Sequence, residues 1–297
     1  MNQATSWRLD IAKKMARIYC ANPKVQAMVV GGSVARGIAD AYSDLDTIAF
    51  CSELPSEAEL SAAEQQAPGT RWNYNRQSPH AVGVECRIGD ARIEVGHLLS
   101  SRMESHLADV VDRHQTDTGK QKSVGGMLDA LPLYGEDLVR SWQDKAAAYP
   151  DGLARAMVEA HLSFMPNWIP RDYAPFRDSP LYRYELFCQA TNNILGILLG
   201  LNRLYHPHEF KWLDYTVGKM RLAPPHLAQR LKAVFRLAPP EAADHLGRLI
   251  EETFALVEAH LPQVDTAPAR RVFNFETQYC DEPPEMPPGP SGGEEPK

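Results

Sequence analysis

The chain has 297 residues, of which 44% are hydrophobic and 23% charged, with a formal net charge of −7. The length suits about two domains with ordinary apolar cores. The acidic balance argues against a broad basic surface for gripping nucleic acid and would suit a cationic small substrate.

In chain order, Ile11, Met15, Ile18 and Tyr19 recur at helical spacing, and Asn22-Pro23 ends this first amphipathic helix. Val25 to Val30 is a short apolar run that reads as a strand, Gly31 to Ser43 is a small-residue polar connector, and Leu45 to Phe50 reads as a second strand. Ser56-x-x-Glu59 has the form of a capping box opening a helix that ends near Pro68. Val82 to Ile88, the turn Gly89-Asp90 and Ala91 to Leu99 form a hairpin. After about residue 100 the strand signals fade. Helices are expected over residues 124–142 with a break near Pro132, over Gly152 to Phe164, and over Tyr182 to Tyr205 as a long apolar helix buried in a bundle. Two more are marked by Leu227, Leu231, Val234 and Phe235, and by Leu246, Leu249, Ile250, Phe254 and Val257. The fold class expected is α+β: a small mixed sheet flanked by helices over residues 1–120, a helical bundle over 121–281, and a disordered Pro/Gly/Glu-rich tail over 282–297.

Five scattered cysteines (Cys20, Cys51, Cys86, Cys188 and Cys280) include no CxxC pair, which fits free thiols in a reducing compartment better than a disulfide framework or a zinc site. The first twenty residues lack the apolar stretch of a signal peptide. The longest apolar run, Ile194 to Leu201, is broken by Gly196 and Gly200 and too short to span a bilayer. A cytoplasmic protein without a membrane partner is expected.

The segment with chemical content is Val29 to Phe50, in which an apolar strand feeds Gly31-Gly32-Ser33, followed by Asp44-Leu45-Asp46 and a second apolar strand. Glycines let a backbone approach phosphate without a Cβ in the way, and Ser33 adds a hydroxyl donor. Residues two apart on a strand share a face, so Asp44 and Asp46 converge. Their repulsion amounts to roughly 4 kcal/mol at an effective dielectric near 20. A divalent cation removes that cost, and hard carboxylate oxygens suit Mg²⁺. In the hairpin, Ile93 and Val95 are apolar, so Glu94 points to the opposite face and can supply a third carboxylate, as a second-metal ligand or as a base. Glu85 on the neighbouring strand is the alternative, and Asp90 is the turn residue. The absence of Gly-Lys-Ser/Thr excludes a P-loop, and no Gly-x-Gly-x-x-Gly stands at this turn.

The order and spacing of Gly32, Ser33, Asp44 and Asp46 within VVGGSVARGIADAYSDLDTIAF resemble the nucleotidyltransferase superfamily that includes DNA polymerase beta. The phrasing is similar to the antibiotic (aminoglycoside and lincosamide) nucleotidyltransferases and to the minimal nucleotidyltransferases of toxin–antitoxin pairs. Thr47 departs from the pattern, since an apolar residue is usual there. The resemblance implies a Gly-Ser turn holding the triphosphate of ATP or another nucleoside triphosphate, two Mg²⁺ ions on Asp44 and Asp46, and a later carboxylate, Glu94 by position, completing the site or acting as base. It also implies that a helical domain closes over a small hydroxylated acceptor and sends a lysine to the triphosphate. Lys211 is the candidate. The antibiotic branch includes dimers, so a homodimer is among the expectations.

Around this centre, Arg36 could neutralise phosphate charge or be a surface arginine, and Ser43 could cap or brace the Asp44 loop. Glu185 and Asn192 share a face of the long apolar helix and could line an acceptor pocket, although structural hydrogen bonding is the simpler reading. His206-x-His208 lacks a third ligand nearby, and the aromatic stretch Trp168, Tyr173, Phe176 and Tyr182 reads as an acceptor loop or a packed connection. The expected reaction moves AMP to an acceptor hydroxyl and releases pyrophosphate. The rival readings are AMP transfer to a protein or RNA, and a non-catalytic nucleotide-binding module.

Overall fold

A computed structural model describes residues 2–277; Cys280 and the tail from residue 282 lie outside the described residues. The first helix, α1 (Gln3–Tyr19), opens on Asn2, whose side chain accepts from the Thr5 N–H at 2.8 Å. It is followed by β1 (Val25–Val30), the one-turn α2 (Gly32–Ala35), β2 (Leu45–Cys51) and α3 (Glu57–Gln66). The capping box at Ser56 and Glu59 is formed, which satisfies two N-terminal N–H groups of α3 reciprocally. Then come β3 (Thr70–Ser78), β4 (Ala81–Ile88) and β5 (Ala91–Leu99). The second half is α4 (Ser100–Leu107), α5 (Thr118–Asp129), β6 (Leu131–Tyr134), α6 (Glu136–Ala147), α7 (Asp151–His161), the short α8 (Ala174–Phe176), α9 (Pro180–Leu201), α10 (Leu213–Gly218), α11 (Leu227–Val234), α12 (Pro239–His260) and α13 (Ala267–Phe273). The fold is thus α+β, with a mixed sheet between helices and a C-terminal helical region. No helix among the described residues is long and apolar enough to cross a membrane.

The six strands lie in the order β3-β4-β5-β2-β1-β6. All neighbouring pairs are antiparallel except β2 and β5, which run parallel with Leu45 opposite Ile93 and Asp46 opposite Glu94. Alternation along the strands divides the apolar side chains between two cores. Met28, Val30, Leu45, Ala49, Ile93 and Val95 pack with α1 on one face. Ala27, Val29 and Phe50 pack with α4 to α6 on the other, where Phe50 meets Trp142 edge-on at 4.9 Å between centroids. Asp46 and Glu94 belong to this second face, alternating with Ile48 and Leu98 along their strands. A third core joins α7, α9, α11 and α12.

Three sequence expectations change. The boundary expected after residue 120 falls inside α5, and β6 beyond it pairs with β1, so the sheet draws its last strand from the second half of the chain. Pro132 marks this edge strand and not only a helix break; an edge strand tolerates the missing N–H. Gly135, at φ 65°, follows it, and a Cβ there would meet the carbonyl of Gln26 and Ala27. The second change is β3, whose polar sequence gave no apolar alternation because it is the opposite edge and mostly exposed. Third, α9 is buried continuously only over residues 194–201; in its first half Leu186 and Phe187 are buried while Glu185 and Asn192 face outward.

Phe50→Ala removes a fully buried ring from the core beneath the sheet and should cost about 3–5 kcal/mol. Urea unfolding checks this, and a midpoint equal to that of the native chain would contradict the packing described.

Candidate active site

The end of β1 and the start of β2 are tied by the Gly31 N–H, which donates to the Asp46 carbonyl at 2.9 Å. The chain then turns sharply at Gly32, with φ at 60°. A Cβ at Gly32 would collide with the Asp46 carboxylate, so glycine is required here both by backbone conformation and by the close approach of an acid. Ser33 follows in the first turn of α2 and is buried. A helix start leaves its first N–H groups without intrahelical acceptors, so this turn presents donors directly beside a carboxylate pair.

The loop from Arg36 to Asp44 is organised by a residue that the sequence reading missed. Arg8, 3% exposed, donates from Nε to the Ser43 carbonyl at 2.9 Å and from Nη2 to the Ala41 carbonyl at 3.4 Å. A buried guanidinium satisfied by carbonyls is a strong local clamp. The Ser43 hydroxyl donates to Asp40 Oδ1 at 2.9 Å and accepts the Asp40 N–H at 2.9 Å. Ser43 thus braces the loop that delivers Asp44; its hydroxyl is engaged with Asp40. Thr47, unusual by sequence, is buried and donates to the Glu94 carbonyl at 2.9 Å, which fastens β2 to β5 at the level of the acids.

The parallel register sets Asp46 beside Glu94, and the β4–β5 register sets Glu94 beside Glu85. Three carboxylates therefore run in a row across the sheet, with Asp44 next to them at the start of β2. Burial pushes the Asp46 carboxyl up to about 6, and the charges of Asp44 and Glu94 add to that rise, while Lys211 and Arg92 oppose it. Glu94 is also raised, first by burial and then by Asp44 and Glu85, against the pull of Arg92. Arg92 forms ion pairs with both Glu85 and Glu94, with its Nε 2.7 Å from Glu85 Oε1. Arg92 too went unnoticed in the sequence, although two residues before Glu94 on one strand is a same-face position.

The residues proposed from sequence are thus divided. Gly32, Ser33, Asp44, Asp46 and Glu94 come together, and Lys211, more than 160 positions from Asp46, lies near enough for its charge to act on that carboxyl. Arg36 is turned to Asp129, with Nε 2.9 Å from Oδ2, and lies over the Tyr215 ring at 5.6 Å. Asp90 sits at the β4–β5 turn, its carbonyl accepting from Arg87 at 2.8 Å. His206 is a buried structural group: its ring stacks on His161 at 5.9 Å and its N–H donates to Gln121 at 3.0 Å. Trp168 and Tyr173 pack edge-on at 5.9 Å in the connection between α7 and α9. A cavity of about 630 Å³ lies between α12 and α13, lined by Glu258, Arg270, Arg271 and Asn274, and none of the acids borders it.

Among the described residues, no group of three or more His, Cys, Asp or Glu side chains converges closely enough to hold a metal ion by itself. What the site offers is a pair of hard oxygen donors, Asp44 and Asp46, whose mutual charge raises Asp46 and which a cation would relieve. That donor set fits Mg²⁺ when the remaining positions are filled by ligand oxygens.

Residues 133–213 match the model of a domain of unknown function, DUF4037. No curated protein matches the sequence. Among solved structures, the chain is similar to a nucleotidyltransferase-like protein from Exiguobacterium sibiricum 255-15, at 12% identity and a TM-score of 0.34 over 84% of this chain and 78% of that one. It is also similar to a chain of the GLD-2/RNP-8 complex, at 11% identity and a TM-score of 0.31 over 84% and 93%.

Asp46 titrates above its unfolded value of about 3.9. Its protonation therefore favours the folded state: the contribution is complete below about pH 4 and is lost as the pH rises through 6. Asp46→Asn should raise stability at pH 8 by about 1–3 kcal/mol, with the gain vanishing below pH 4. Urea unfolding of both chains at pH 4, 6 and 8 measures it, and a variant no more stable than the native chain at pH 8 would contradict the crowding of acids.

Proposed function

We propose that the protein is a Mg²⁺-dependent nucleotidyltransferase that moves AMP from ATP to a hydroxyl of a small acceptor and releases pyrophosphate. The observation that carries this reading is the placing of Asp46 beside Glu94 by the parallel β2–β5 register, with Gly32 pressed against the Asp46 carboxylate and Lys211 acting on it from the helical half.

The triphosphate lies on the Gly32-Ser33 turn, where backbone and hydroxyl donors meet its oxygens. Mg²⁺, held by Asp44 and Asp46, neutralises phosphate charge when bound. Lys211, whose charge acts on Asp46, offsets the charge that develops on the leaving pyrophosphate. Glu94 takes the proton of the acceptor hydroxyl. Its raised pKa favours this, since a stronger carboxylate base removes a hydroxyl proton more readily. The acceptor oxygen then attacks the α-phosphorus in line, the bond to the bridging oxygen of pyrophosphate breaks, and the proton remains on Glu94. Positioning and charge neutralisation supply the rate.

The net charge of −7 favours a cationic acceptor, which makes aminoglycosides, with lincosamides beside them, the first probes. Incubation with ATP, Mg²⁺ and such a panel, read by mass spectrometry, should show an acceptor heavier by one AMP residue and no product in EDTA. AMP found on protein would move the reading to a protein acceptor. No product on any acceptor would favour a nucleotide-binding module. Asp44→Asn and Asp46→Asn should each lower turnover at least about 100-fold, and unchanged turnover in either would refute the assignment.

A further inference from the structure

Residues 203–222 cross from α9 to α11 as a strap with both ends pinned. At the start, His206 is buried and its backbone N–H donates to the Gln121 side chain at 3.0 Å. At the finish, the Asn202 side chain accepts the N–H groups of Arg221 and Leu222 at 2.7 and 2.9 Å. Between these pins no residue of α10 is buried. Leu213, Val217 and Met220 pack onto the helical core. Tyr215 in α10 and Lys219 just after it form a cation–aromatic stripe, with Lys219 Nζ 4.6 Å from the ring centroid, and Lys211 stands two residues before the helix.

That stripe is tied to the phosphate turn through one carboxylate. Asp129, the last residue of α5, accepts Arg36 Nε at 2.9 Å from the turn side. Lys219 Nζ lies 3.4 and 3.5 Å from its two oxygens on the strap side. Both cations also lie over the Tyr215 ring, at 5.6 and 4.6 Å from its centroid. Arg36 follows Ser33 by three positions, and Lys211 precedes Tyr215 by four. Asp129 does not touch Asp44, Asp46 or Glu94 through any hydrogen bond or ion pair found among the described residues. With two cations against one carboxylate, the cluster also keeps a positive balance beside the phosphate turn.

We propose that Asp129 is a positioning residue: by holding Arg36 and Lys219 together it fastens the strap to the Gly-Ser turn and thereby sets Lys211 over the acids. Its consequence for nucleotide binding rests on the nucleotidyl-transfer reading; the fastening itself does not.

The test is hydrogen exchange of the full-length chain together with calorimetric binding of Mg·ATP. Asp129→Asn should raise amide exchange in residues 211–219 about tenfold, leave residues 194–201 unchanged, and weaken Mg·ATP binding about tenfold. Asp129→Glu, which keeps the charge, should recover most of both effects, which a loss of packing alone would not allow. Lys219→Gln cuts the same tie from the strap side and should loosen residues 211–219 likewise, so the proposal stays testable if Asp129→Asn fails to fold. Unchanged exchange across 211–219 in the variants overturns the proposal whether or not ATP binds. Loosened exchange in a chain whose native form binds no Mg·ATP supports the fastening and overturns the nucleotidyl-transfer reading instead.

Discussion

The parallel pairing of β2 with β5 is the constraint on which the rest depends. It is the sheet's one parallel contact, and it brings Asp46 level with Glu94. A one-residue slip would turn one of these side chains to the α1 core, where Leu45, Ile93 and Val95 now lie. The register is held by those apolar neighbours and by the Thr47 hydroxyl on the Glu94 carbonyl. Like charges brought this close disfavour the folded state until a proton, Arg92 or a cation offsets them, which is why burial and neighbouring acids raise Asp46.

Around this row the chain supplies opposite charge from two directions. Arg92 comes from the same strand as Glu94 and Lys211 from the strap before α10, while Arg36 beside the Gly-Ser turn is engaged by Asp129. The helical half is therefore joined to the chemistry by charge as well as by the shared sheet edge. β6 crosses from one half to pair with β1, and Asp129 stands two residues before it. A rigid sheet edge and a single carboxylate thus share the task of placing a strap that has no buried residue in its helix.

Much of this was legible in the sequence, for identifiable reasons. β1, β2 and the β4–β5 hairpin carry strong apolar patterns, and Gly89-Asp90 marks the turn, so their bounds are read within a residue. The Gly-Gly-Ser turn and Asp-x-Asp pair are local, and Glu94 follows from the alternation of Ile93 and Val95. What was not legible is non-local. Arg8 acts on a loop more than thirty residues away, and nothing in its helix distinguishes it from Arg17. Asp129 and Lys219 meet across ninety positions. β3 and β6 escape notice because edge strands bury little, and the first half of α9 buries only Leu186 and Phe187. Arg36 was read toward phosphate and is engaged by Asp129 in this structure.

On the proposed reading, Asp44 and Asp46 hold a divalent cation jointly with a nucleoside triphosphate. The most direct measurement is the electron paramagnetic resonance of Mn²⁺, used in place of Mg²⁺, titrated with the protein with and without a non-hydrolysable ATP analogue. The expected result is weak uptake of Mn²⁺ by the protein alone and tight uptake once the analogue is present, beyond what the analogue binds by itself. Uptake no greater than that of the analogue alone would contradict it.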